Sequence, residues 1–134
     1  MNTKILTLIF ALFATFAFAQ TQTTPTGTVQ QKQVSENAIY QLFPTKNFWT
    51  FIKLDTRNGK MWQVQFSLKE DGSRGEVILN SLPLVKEEDE VKGRFTLYST
   101  ENFYNFLLLD QIDGYVYQVQ WSMEKKTRGV FPIN

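Results

Sequence analysis

The sequence predicts an all-β protein made of two tandem four-stranded antiparallel units. Three observations carry this reading. The chain repeats itself at an offset of 55 residues, each copy alternates with period two, and a Gly-bearing turn separates the two clearest strands of each copy. Residues 47–67 read NFWTFIKLDTRNGKMWQVQFS and residues 102–122 read NFYNFLLLDQIDGYVYQVQWS, with ten of the 21 positions identical. Chance matching gives about one or two, so the two segments are copies of one unit. Substitutions such as Trp49/Tyr104, Trp62/Tyr117 and Phe66/Trp121 keep the side-chain type. Leu42 and Thr45 match Leu97 and Thr100, and Arg74-Gly75 matches Arg128-Gly129 one residue out of step.

Taken from the N-terminus, residues 1–19 read as a cleaved signal peptide. Lys4 is followed by the apolar run 5–16 and by Ala17-Phe18-Ala19, a small-x-small site that places the cut before Gln20. The apolar stretch is short against the ~20 residues that span a bilayer. No Cys follows it to take a lipid, so the mature chain is expected to be secreted or periplasmic without membrane insertion. Residues 20–33 (QTQTTPTGTVQQKQ) hold too little apolar surface to offset ordering entropy and read as a flexible Thr/Gln-rich spacer. The duplicated β domain occupies 34–134: repeat 1 about 39–79, a connector 80–93, and repeat 2 about 94–134.

Within repeat 1, strands are predicted over 39–43, 48–54, 62–68 and 75–79; in repeat 2, over 94–98, 103–109, 117–123 and 129–133. Strands 48–54 and 103–109 are apolar on both faces and belong centrally, with Phe48, Phe103, Phe51 and Phe106 in the core. The turns 55–59 and 110–114 each begin with Asp, which accepts backbone N–H bonds, and end with Gly, which takes positive φ. In the third strands Trp62, Val64 and Phe66, like Tyr117, Val119 and Trp121, alternate with Gln and Ser, which predicts one buried aromatic face and one solvated Gln face. One unit alone cannot hide its aromatic face. The two are therefore expected to pack with pseudo-twofold symmetry, as a sandwich or a barrel-like closed sheet. A propeller of such units needs at least about four and hence two chains.

Composition narrows the function. The chain has no His and no Cys, which removes Ser-His-Asp and Cys-His catalysis and metal sites of imidazole or thiolate. Lys and Arg number 14 against 13 acids; removing 1–19 takes one Lys and no acid, leaving 13 of each. A neutral chain has no electrostatic footprint for nucleic acid. Each Asp-led turn offers two oxygens and no closing Glu, short of a calcium loop, so neither metal nor cofactor is expected. Carboxylate chemistry on glycans, with Asp55 and Asp110, is the one enzyme class left, and both residues are better explained as turn formers. Arg74 and Arg128 are placed to pair with Asp55 and Asp110 of their own copies.

The binding candidates are Gln63, Gln65, Gln118 and Gln120, whose amides both donate and accept, with Trp49 and Tyr104 as stacking or anchoring aromatics. These lead to a non-catalytic extracytoplasmic binding module for a glycan or protein ligand. An envelope-complex subunit or protein inhibitor is the alternative, and a small carboxylate enzyme the third. The motif Asn-Phe-x-x-Phe-x-x-Leu-Asp-x-x-x-Gly-x-x-Trp/Tyr-Gln-Val-Gln-Phe/Trp-Ser resembles that of short secreted bacterial β-repeat proteins without an assigned activity. The resemblance covers the two hairpins. It implies an extracytoplasmic β-protein and brings no functional residues with it.

Overall fold

The structure, a computed structural model, describes residues 38–133. The expected signal peptide at 1–19, the expected spacer at 20–33 and the first residues assigned to the domain lie outside them. Eight strands form two separate four-stranded antiparallel sheets. The first sheet is β1 (Tyr40–Pro44), β2 (Thr50–Asp55), β3 (Met61–Gln65) and β4 (Gly75–Asn80); the second is β5 (Phe95–Ser99), β6 (Asn105–Asp110), β7 (Val116–Gln120) and β8 (Gly129–Ile133). Each is a meander, with neighbours in chain order paired antiparallel. Two short 3₁₀ turns, Glu87–Asp89 and Lys125–Thr127, interrupt the loops. The predicted eight strands, in two four-stranded antiparallel units, appear. Barrel-like closure does not, because each sheet keeps its own edge strands.

Local chemistry explains the turns. Thr45 Oγ1 bonds the Thr50 carbonyl at 2.9 Å, and Asn47 Oδ1 accepts the Trp49 N–H at 2.9 Å. Thr100 and Asn102 repeat this, bonding the Asn105 carbonyl at 2.8 Å and the Tyr104 N–H at 2.9 Å. These bonds account for the shared Thr and Asn. They also put Phe48 at a turn tip, almost fully exposed, and leave Phe103 partly exposed, so neither lies in the core. The β2–β3 and β6–β7 turns close with Gly59 at φ +78° and Gly114 at φ +77°. Each Gly N–H donates to the carbonyl of its leading Asp, Asp55 at 3.0 Å and Asp110 at 2.8 Å.

The register fixes what each face carries. In the repeat, one face holds the Gln positions with Ile52/Leu107 and Leu54/Leu109; the other holds Phe51/Phe106, Trp62/Tyr117 and Val64/Val119. We call these the Gln face and the aromatic face. The first sheet buries its Gln face: Ile52, Leu54, Met61 and Gln63 are all inaccessible. The second buries its aromatic face: Phe95, Leu97, Phe106, Leu108, Val119 and Trp121. Together these residues, without Gln63 but with Leu79, form one hydrophobic core. The sheets are therefore layered as a sandwich is, but opposite faces of the repeat meet, where a twofold pairing brings equivalent faces together. β2 lies against β5 and β4 against β8.

Main-chain bonds fasten the layers at one end. Buried Thr56 donates its N–H to the Ile39 carbonyl (2.9 Å) and accepts at its own carbonyl from the Phe95 N–H (2.8 Å). The connector is held by Leu84 N–H on the Asn58 carbonyl (2.8 Å) and by Asn58 Nδ2 on Glu90 (2.9 Å).

Candidate functional site

The six candidate residues do not converge. Gln63 is 2 % exposed, sealed between the sheets with Nε2 directed at Met123 Sδ (3.6 Å) and Oε1 without a partner. It is a packing residue and is not presented to a ligand. Gln65 is half-buried on the same face. Gln118 and Gln120 lie on the open Gln face of the second sheet, also half-buried, and Gln118 Nε2 donates to Asn105 Oδ1 at 3.0 Å. Trp49 sits edge-on to Phe66 (5.4 Å between centroids). Tyr104 packs on Trp121 (5.5 Å), whose indole N–H bonds the Phe103 carbonyl. Both are partly exposed, at the turn end of the molecule.

The side chains that do converge are on the open aromatic face of the first sheet. Lys53 on β2 is cross-strand to Leu42 of β1 and Trp62 of β3, and Trp62 is cross-strand to Ile78 of β4. The Lys53 ammonium stands 4.7 Å above the Trp62 ring and 5.8 Å from that of Tyr40, and it pairs with the Glu76 carboxylate. Tyr40 and Trp62 meet edge to face at 6.2 Å. Phe51 and Phe66 continue the patch at 6.0 Å. Leu42, Ile78 and Phe66 are exposed there, giving a broad apolar surface with one neutralised charge pair. Sequence reasoning placed Trp62 and Phe66 in the core and passed over Tyr40, Lys53 and Glu76. A signal was present, because Lys53 and Glu76 stand where the second copy has Leu108 and Val130.

The charged residues at the hairpin ends serve the turns. Asp55 accepts from Arg57 Nε and Nη2 at 3.0 and 2.8 Å and from the Arg57 N–H at 3.0 Å. That contact, chiefly its hydrogen bonds, raises the Arg57 guanidinium above its ordinary value. In the second copy residue 112 is Ile, and Arg94 takes over from the start of β5. Its Nε and Nη2 lie 3.0 and 2.8 Å from the Asp110 carboxylate, and it also pairs with Asp113. Burial pushes the Asp110 carboxyl up, but the Arg94 hydrogen bonds and the N–H groups of Ile112 and Asp113 outweigh it and hold the group below its ordinary 3.8. Arg74 and Arg128 do not reach either Asp. Arg74 bonds the carbonyls of Ser67 and Lys69, and Arg128 those of Ser122 and Met123, bracing the β3–β4 and β7–β8 loops.

Among the described residues no three acidic side chains gather to hold a metal. A shallow cleft of about 200 Å³ runs between the turns at 44–46 and 99–106, crossed by Lys46, whose Nζ bonds the Glu101 carbonyl at 2.6 Å. Lys46 also pairs there with the Glu101 carboxylate at 3.5 Å, an exposed contact. No known protein family, curated protein or solved structure matches this chain.

Proposed function

We propose that the chain is a non-catalytic extracytoplasmic binding module whose ligand is a protein, held on the open aromatic face of the first sheet. The single observation that carries this is the surface formed by exposed Leu42, Phe66 and Ile78 with half-buried Trp62 around the Lys53–Glu76 pair. Large exposed apolar patches mark protein interaction sites, and aromatic residues are enriched in interfaces. Asp55 and Asp110 support the non-catalytic part, since both carboxylates are occupied by arginine and backbone donors. The extracytoplasmic part rests on the pattern of residues 1–19.

A glycan ligand is the second reading, favoured by the Tyr40–Trp62 ring pair beside Lys53 and Glu76. Trp121 is buried, so ligand-induced changes in intrinsic fluorescence report mainly Trp49 and Trp62. Titration with cell-wall and polysaccharide fragments is expected to leave that signal flat. Protein capture by the tagged exported chain is expected to be lost in Leu42→Glu. Saturable quenching by a glycan, with no Leu42-dependent capture, overturns the protein reading.

A further inference from the structure

Each face exists twice, once covered and once open. On the aromatic face, Leu97 is 5 % exposed where its mate Leu42 is 60 %, and Trp121 is 1 % where Phe66 is 38 %. On the Gln face the sense reverses: Ile52 is 0 % exposed where Leu107 is 37 %, and Leu79 is buried where Ile133 is open. The internal interface joins the Gln face of the first sheet to the aromatic face of the second. What remains open is one aromatic face, on the first sheet, and one Gln face, on the second. These are the same two surfaces, on opposite ends of one chain.

We propose that copies of this chain assemble head to tail, the open Gln face of one copy covering the open aromatic face of the next, and so repeat the internal interface between molecules. The proposal rests on the protein-binding reading and names its partner as a second copy. The contacts follow by equivalence. Gln63 meets Met123 inside the chain, so Gln118 is set to meet Leu68 of the next copy. The Phe95 N–H donates to the Thr56 carbonyl across the sheets, so the Tyr40 N–H of one copy is set to meet the Gln111 carbonyl of another. Among the described residues no charged side chain lies on the strands of the open Gln face, and the charges on the strands of the open aromatic face are paired, Lys53 with Glu76 and Asp55 with Arg57. Such a heterologous contact closes into a ring when its rotation divides the circle. Rings of about two to four copies carry the four to eight sheets found in propellers.

Sedimentation velocity of the exported protein from micromolar to millimolar concentration tests this. Wild type is expected to self-associate. Leu42→Glu blocks the aromatic face and Leu107→Glu the Gln face, so each variant alone is expected to stay monomeric. Mixed, they are expected to form a 1:1 heterodimer that grows no further, because each supplies the face the other has lost. Circular dichroism checks the fold, and Ile78→Glu with Phe131→Glu gives a second pair on the same faces. Association of the wild type without complementation between variants overturns the head-to-tail geometry. A wild type that stays monomeric but captures a foreign protein through the Leu42 face overturns self-pairing and leaves the protein-binding reading standing. Neither self-association nor capture overturns both.

Discussion

Gln63 sets an amide between two apolar layers, and its Oε1 finds no partner there. A buried acceptor left unmade costs about 1–3 kcal/mol, more than a contact from Nε2 to a thioether returns. Gln63→Leu is therefore expected to raise Tm by a few degrees in a thermal melt. That such a residue is present in both copies agrees with the Gln face being a contact surface. Alternation in the sequence marked the Gln positions as one face; it held no information on what covers that face, because period two describes a strand and not its neighbours. Asp110 is the opposite case, a buried polar group fully satisfied. Its carboxyl titrates below 3.8 in the fold, so its stabilising contribution is complete above that pH and drains away as pH falls through the folded value. Asp110→Asn removes the buried partner of Arg94 and leaves only the half-exposed Asp113 carboxylate beside it, and it is expected to lower Tm at neutral pH by on the order of 10 °C. Below about pH 4 the variant's Tm should vary less with pH than that of the wild type.

The hairpins show how far two equal elements diverge once packed. Gly59 and Gly114 have the same left-handed backbone, costing a non-Gly residue about 1–2 kcal/mol. A Cβ at Gly114 meets nothing within 4 Å, whereas one at Gly59 lies 2.7 Å from Leu84 Cδ1 in the connector. Gly114→Ala is expected to lose about 1 kcal/mol by urea denaturation and Gly59→Ala distinctly more, since Leu84 has to shift as well. The turns were legible because Asp, Asn and Gly act within a few residues of themselves. The arginine partners were not. Arg57 reaches Asp55 from two residues away, and Arg94 reaches Asp110 from 16 residues away on the adjacent strand. Arg74 and Arg128 matched in sequence for a different reason, the bracing of equivalent loops. Strands β2 and β6 are largely apolar on both faces, which predicted cover on both sides, whereas one molecule covers only one face of each sheet.

At the scale of the whole molecule, stacking opposite faces gives the chain a direction, with an aromatic end and a Gln end. The aromatic end differs from its buried counterpart mainly at its centre, where Lys53 and Glu76 replace Leu108 and Val130. The pair keeps a large apolar surface hydrated in the free chain, and it has to be desolvated when the next copy lands. Exchanging a buried ion pair for apolar residues of similar size is often neutral to stabilising, by about 1–4 kcal/mol. Lys53→Leu with Glu76→Val converts the open face to the composition of the face that already packs inside the chain. The double variant is expected to self-associate with a Kd at least about tenfold lower than wild type, measured by sedimentation equilibrium. Each single variant leaves one charge uncompensated at the centre of the contact, so both should associate more weakly than wild type. Tightening in the double variant alongside weakening in both singles locates the ion pair inside the interface, because a pair at the rim would move all three by little.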